Sequence, residues 1–381
     1  MTTPAQRIRG LWLVALAAMA TTTLLAFASS ASAARDPIAT GTTDLHMKKG
    51  FVRKIANHGA TVQPIGAASV SGNKIGLTVR DGKLNPVDVQ GFLDTRGGFK
   101  LQLGERGVPV TQLTVNTVKG AVYAKVARAR MQIGSFEPPT SAREGFGANF
   151  KATKLTLTEK AVKRISNRLG LQGSKRLNPG RVLSNLYSAA QPETVTILPQ
   201  GGASLTGNGA TLAKFAAKGV KVPEGFTAIA PATKPTPTSF QLPISGGTLA
   251  PDASKGTVET AGGVQILKEA EPYSPTVRLR NVSVDFAAKT ATAELEILPN
   301  PPFPGAAGRT SIVDVVLPPN SVTADPVART ISIQGAEARL QATFANTLND
   351  VFNQPPPPPP SSSNFVVGDQ LGTFSMTLQA R

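Results

Sequence analysis

The chain has no cysteine, two histidines and a single tryptophan. Without cysteine there can be no disulfide, no zinc–thiolate centre, no thiol catalysis and no lipoprotein-type anchor. Both histidines, His46 and His58, lie in the first half and have no counterpart in the second. Acidic residues number 23 against 40 Lys and Arg, and no pair has a spacing that argues for general acid–base work. The G-x-S-x-G elbow, the H-E-x-x-H helix and the P-loop are also missing. Together these absences predict a protein that is not an enzyme. Aromatics make up 5% of the chain and are not interleaved with the basic residues, so a nucleic-acid partner is not expected.

What is present begins with an export signal. Arg7 and Arg9 precede an apolar run from Leu11 to Ala28, and Ala31-Ser32-Ala33 offers small residues for cleavage. Residues 1–33 therefore read as a secretory signal peptide that carries Trp12 away with it. No later apolar run is long enough to span a bilayer, so no transmembrane anchor is expected after cleavage. The expected location is extracellular, or the cell surface and envelope. Asn281-Val-Ser283 matches a glycosylation acceptor, a pattern common by chance.

The formal charge of +17 is unevenly placed. Residues 34–200 hold 25 Lys and Arg against 10 Asp and Glu, a net of +15, whereas residues 201–381 hold 13 of each. Such asymmetry suggests that the first half meets something anionic, against the plainer reading of a solvated basic surface.

The two halves are copies. Ile75–Pro86 returns as Phe240–Pro251, and Thr95–Leu101 returns as Thr260–Ile266, both at an offset of 165. Alternation of apolar and polar residues, broken at glycine and then resumed, predicts a half-buried hairpin in each copy. Upstream, a strand at Asp44–Met47 and a helix at Lys48–His58 match a strand at Ala203–Thr206 and a helix at Gly209–Lys218. Phe51, Val52 and Ile55 form the apolar stripe of the first helix; Leu212 and Phe215 stand where Val52 and Ile55 do. Downstream, the alternation predicts a meander in each copy, then a strand and a late helix, Glu159–Leu169 and Thr343–Phe352. Closing strands follow at Gly180–Tyr187 and Gly368–Ser375. Loops are expected at Val62–Ser71, Gly134–Asn149, Val222–Thr236 and Pro299–Gly308, and an exposed polyproline loop at Pro355–Pro360. The fold class is thus mainly β: two tandem sandwich-like or roll-like domains, each with an early and a late short helix. The expected division is 38–198, basic, and 203–381, neutral.

Several features in this order resemble the HtaA family, the haem-transport-associated domains of exported actinobacterial proteins. They are Leu45 with Phe51, the Leu77…Gly82…Leu84 hairpin, Gly97-Gly98-Phe99-Lys-Leu101, Val122-Tyr123-Ala124, and the late helix followed by Gly368-Asp-Gln-Leu371-Gly. The resemblance implies a secreted or surface-attached, β-rich binding protein. In the family a tyrosine on the early helix ligates haem iron and a histidine before the paired glycines supports it. Here those positions fall at Lys54 and Arg96 in the first copy, and at Lys214 and Ala261 in the second. The ligand pair is not matched, so the cofactor stays open, with haem as a candidate; Lys54 and Arg96 could still meet a propionate. His46, His58 and Tyr123 are the substitute iron ligands to test, although His58 also suits a helix C-terminus and Tyr123 a strand face. Two readings follow. One is a surface binding protein for haem or another anionic ligand through the first domain. The other is a structural or adhesive envelope protein held to anionic wall polymer by its basic first domain.

Overall fold

A computed structural model describes residues 35–173, 176–270, 274–298, 308–353 and 364–381. The signal segment, Trp12, most of the Pro299–Gly308 stretch and the polyproline run lie outside the described residues. The first unit contains β1 (Asp36–Met47), α1 (Lys49–Asn57), β2 (Ala60–Ile65), β3 (Ser69–Ser71), β4 (Lys74–Leu84), β5 (Gly91–Arg96) and β6 (Gly98–Leu103). It continues through β7 (Arg106–Asn116), β8 (Ala121–Val126), β9 (Ala129–Ser135), β10 (Thr140–Glu144), β11 (Gly147–Leu157), α2 (Glu159–Leu169) and β12 (Val182–Pro192).

The second unit repeats this order. It opens with β13 (Val195–Gly207), α3 (Gly209–Ala217), β14 (Phe226–Ile229), β15 (Thr233–Thr236), β16 (Ser239–Leu249), β17 (Gly256–Thr260) and β18 (Gly263–Leu267). It closes with β19 (Thr276–Asp285), β20 (Thr290–Leu298), β21 (Gly308–Val316), β22 (Val322–Asp325), β23 (Thr330–Leu340), α4 (Ala342–Phe352) and β24 (Gln370–Ala380).

Each sheet is a closed ring rather than a sandwich. In the first, β7-β5-β4-β1-β12-β11-β9-β8 run in sequence and β8 pairs back onto β7. In the second, β19-β17-β16-β13-β24-β23-β21-β20 do the same through β19–β20. Closure leaves no edge among the ring strands. The alternation that marked the strands in sequence is the inside–outside alternation of the ring: Leu45 and Met47, then Ile75, Leu77 and Val79, point into the first core.

The paired glycines mark where one long strand changes partners. β5 pairs with β4, β6 pairs with β2, and β7 runs alongside both. Gly97 makes the kink at φ +78°, and a Cβ there would lie 2.7 Å from the Ile65 carbonyl oxygen. Gly262 repeats it at φ +78°, with a Cβ 2.6 Å from the Ile229 oxygen.

The early and late helices stand where the sequence puts them. Stretches expected to be loops are in part strands: Val62–Ser71 contributes to β2 and β3, Val222–Thr236 to β14 and β15, and Gly134–Asn149 to β10 and the ends of β9 and β11. These strands lie at the margins of the rings, need one partner each and bury little, so they carry no alternation. Every residue of β10 is exposed. Pro64 and Pro235 are tolerated there because such a strand has one side without a ladder. The stretch read as a link, up to Gly202, also belongs mostly to a strand, since β13 starts at Val195 and only Glu193 and Thr194 separate it from β12.

The short connection holds the units in contact. Glu193 N–H donates to the Pro37 carbonyl at 2.7 Å. Asp36 Oδ1 accepts from Thr196 N at 3.1 Å and from Thr196 Oγ1 at 2.8 Å. Phe146, in the turn between β10 and β11 of the first unit, packs into the core of the second. The Arg329 guanidinium lies over its ring at 5.8 Å and donates through Nη1 to the Gly145 carbonyl at 2.6 Å. Burial, with Arg143 nearby, lowers the Arg329 pKa to about 10. Burial of Asp36 raises its carboxyl pKa despite the hydrogen bonds from Thr196, and its Oδ2 is buried without a partner.

Candidate functional site

The ring ends capped by the helices are where the two units differ most. α1 follows directly on β1, and α2 follows directly on β11; Lys48 N–H donates to the Leu183 carbonyl at 2.9 Å and Leu157 N–H to that of Arg181 at 3.3 Å. Both helices therefore cover one end of the first ring. Thr158 caps α2 by accepting from Ala161 N at 3.3 Å, and Gly170, at φ +72°, ends it in a left-handed cap. Phe51 and Ile55 of α1, with Val162 and Ile165 of α2, point inward.

The outward faces are basic. Lys48, Lys49, Arg53, Lys160, Lys163 and Arg168 are exposed, and Lys54 and Arg164 are half-buried. None of the eight forms an ion pair among the described residues. Lys54 Nζ donates to the Arg176 carbonyl at 2.8 Å, and Arg164 donates to the carbonyls of Val126 and Ala127 at 2.9 and 3.1 Å. Lys160, Lys163, Arg164 and Arg168 line an open hollow of about 480 Å³ with Met131 and Asn167.

At the same end of the second ring the charges are few and partnered. Lys214 of α3 pairs with Asp369 at 2.5 Å. Lys218 is buried at the end of α3, hydrogen-bonded to Asn353 and, at 3.1 Å, to Asn364, and it lies 5.4 Å from the centroid of the Phe365 ring. Burial lowers its pKa, helped by Lys268 and Lys214. α4 carries no basic residue in its last turn.

The interiors beneath these ends differ in the opposite sense. The first ring holds a residual void of about 20 Å³, lined by Met47, Phe51 and Phe99 among others. The second holds a cavity of about 120 Å³ whose lining includes Gly207, Thr211 and Val264 at the corresponding places. Three large side chains have become small ones around one volume. An unfilled void of that size costs on the order of 3 kcal/mol.

The residues singled out from the sequence are dispersed. Among the described residues no hydrogen bond or ion pair joins any two of Lys54, Arg96, Tyr123, His46 and His58, and none of them lines either interior cavity. Lys54 faces residues 176–178. Arg96 is exposed at the end of β5, opposite Thr78. Tyr123 sits half-buried between Thr114 and Gln132, on the outward side of a strand whose Val122, Ala124 and Val126 fill the core. His58 occupies the C-terminal cap position of α1. His46 is on the outer face of β1, its ring centroid 4.6 Å from that of Tyr187. Lys151 Nζ lies 5.5 Å from the Tyr187 ring. Tyr187 was not among the expected site residues; only the pairing of β1 with β12, which sets Leu45 opposite Leu186, brings it beside His46. No group of three or more metal-ligating side chains occurs among the described residues. Among them, too, no helix is long and apolar enough to cross a membrane.

The geometry thus defines a class: two closed eight-stranded barrels in tandem, each with helices over one end, one basic at that end and filled, the other neutral and hollow. In structure the chain is similar to the C-terminal domain of HtaA from Corynebacterium glutamicum, at 13% identity and a TM-score of 0.33, over 41% of this chain and 98% of that domain. It is similar also to the N-terminal domain of the same protein, at 19% identity and a TM-score of 0.33, over 48% of this chain and 99% of that domain. No family model and no curated protein sequence matches the chain.

Proposed function

We propose that this is a non-catalytic binding protein of the cell envelope whose first barrel takes an anionic ligand at its helix-covered end. The observation that carries the reading is the set of eight Lys and Arg residues on and before α1 and α2 that form no ion pair among the described residues. At the corresponding end of the second barrel Lys214 is ion-paired and Lys218 is buried against Asn353 and Asn364, so the fold does not require a set of exposed charges there. Unneutralised cations around an open hollow attract carboxylates, phosphates and sulfates, and salt screens that attraction.

Haem, implied by the sequence resemblance, is one such anion through its propionates. The positions that hold its iron in the family carry Lys54 and Arg96, and Lys54 is occupied with a backbone carbonyl. Those residues do not fit iron ligation. The reading therefore rests on charge and includes no step at iron. The pair with suitable donor atoms is His46 and Tyr187, on the outer face.

Haemin titration of the purified protein at low and high salt tests this. Binding is expected to weaken at least tenfold with salt, and equally when Lys160, Lys163 and Arg168 are changed to Gln. No Soret change and no retention of any polyanion at low salt would overturn the proposal. Retention on anionic wall polymer without haemin binding would favour the adhesive form of it. Loss of a Soret band in His46→Ala and Tyr187→Phe alone would move the site to the outer face.

A further inference from the structure

The cavity of the second barrel has features that the anion-binding proposal does not use. Among the described residues its lining carries no Lys, Arg, His, Asp, Glu or Tyr. The Thr211 hydroxyl already donates to the Gln370 carbonyl at 2.6 Å, and that of Thr260 to the Val282 carbonyl at 3.1 Å. A polar ligand group inside would thus lose its water for at most a few threonine hydroxyls, two of them already donating elsewhere, which opposes its entry. A void of similar size with an apolar lining stays dry and admits small hydrocarbons.

Three leucines separate the cavity from solvent among the described residues. Leu205, Leu212 and Leu371 line it and are only half-buried. They gather at the α3 end: β13 pairs Gly207 with Gly372, and Asn208 N–H donates to the Leu371 carbonyl at 3.0 Å. The first barrel closes the same place with Met47 at the position of Gly207, Phe51 at that of Thr211 and Phe99 at that of Val264. The difference between the two interiors therefore lies in three positions that converge on one point, while Phe215, Phe240 and Phe374 stand where the first barrel has Ile55, Ile75 and Leu186 on the remaining wall.

We infer that the second barrel binds the unbranched hydrocarbon chain of a single-chain amphiphile. The chain terminus fills the cavity, the leucine mouth surrounds the next methylenes, and the head group stays outside. This stands apart from the anionic ligand of the first barrel, since it involves a different barrel and no charge. The volume suits about six carbons, by comparison with the benzene-sized ligand of a slightly larger dry cavity.

The test is an NMR titration of the protein's methyl signals with 1-butanol through 1-decanol. Affinity is expected to rise about fourfold per methylene until the cavity is full, then to level off. Octanoate, a lysophospholipid and octyltrimethylammonium should bind with similar dependence on chain length; a preference of more than tenfold for one head would identify the fatty acid or the lipid as the natural source. Val264→Phe and Gly207→Met, which restore the residues of the first barrel, should each weaken binding more than tenfold while far-UV circular dichroism is unchanged. Gly207 has no left-handed φ, and a Cβ there meets only the Leu212 side chain, at 3.3 Å, so the second variant can be accommodated. No chain-length dependence in the parent protein would overturn the inference. Binding that survives both folded variants would overturn it equally.

Discussion

The two barrels share a ring of strands and have exchanged their properties at one end. The first is basic outside and filled inside; the second is neutral outside and hollow inside. What stayed constant is what closure needs: the strand order, the kink at Gly97 and Gly262, and the inward alternation. What changed are side chains that closure does not use. A duplicated fold of this kind separates residues that make the ring from residues that make a site, because only the former must agree between copies.

The largest expected effect breaks what the copies share. A Cβ on Gly98 would lie 2.2 Å from the Val110 oxygen, and one on Gly263 would lie 1.9 Å from the Leu279 oxygen. Both obstacles are backbone. Gly98→Ala and Gly263→Ala should each destabilise the protein by about 3 kcal/mol or more in denaturant melting. If either is tolerated, the close approach of that glycine to the neighbouring strand is not part of the common frame.

The next effect exchanges an interior. Phe99 is 6% exposed and occupies the place of Val264. Phe99→Val should hollow the first barrel at a cost of roughly 2–3 kcal/mol. Val264→Phe should stabilise the second by about 1 kcal/mol if its ring enters the void without strain. Two melting curves decide the matter, and equal destabilisation by both changes would refute the difference in packing.

A smaller effect concerns the junction. Because burial raises the Asp36 pKa in the folded protein, the native state holds that proton more tightly than the unfolded chain does. Asp36 then lowers stability above its folded pKa, and this penalty vanishes as pH falls below the unfolded value. Asp36→Asn should melt higher than the parent at pH 7, with the gap closing toward pH ~3.8, the value of an unperturbed aspartate. A gap that widens with acid would show that the contacts with Arg329 and Arg381 outweigh burial.

Much of this was legible in the sequence and some was not. Repeats at fixed offsets give the tandem copies, and alternation with apolar stripes such as Phe51, Val52 and Ile55 gives the strands and four helices. Ring closure was not legible, because it depends on long-range pairs, β1 with β12 and β13 with β24, that no local turn announces. Marginal strands such as β10 bury no face and leave no periodic trace. The site was half legible. Charge asymmetry is a matter of composition, but Tyr187 meets His46 only through the register of β1 and β12. The cavity needs Gly207, Thr211 and Val264 to converge from three elements, and nothing local in the sequence says that they do.

The central claim is that one scaffold holds two independent sites of opposite chemistry. The most direct measurement titrates the same protein with haemin and with 1-octanol, in the parent, in the Lys160, Lys163 and Arg168 to Gln variant, and in Val264→Phe. The charge variant and added salt should weaken haemin alone, while Val264→Phe should weaken octanol alone. Both ligands responding to the same substitution would contradict the claim.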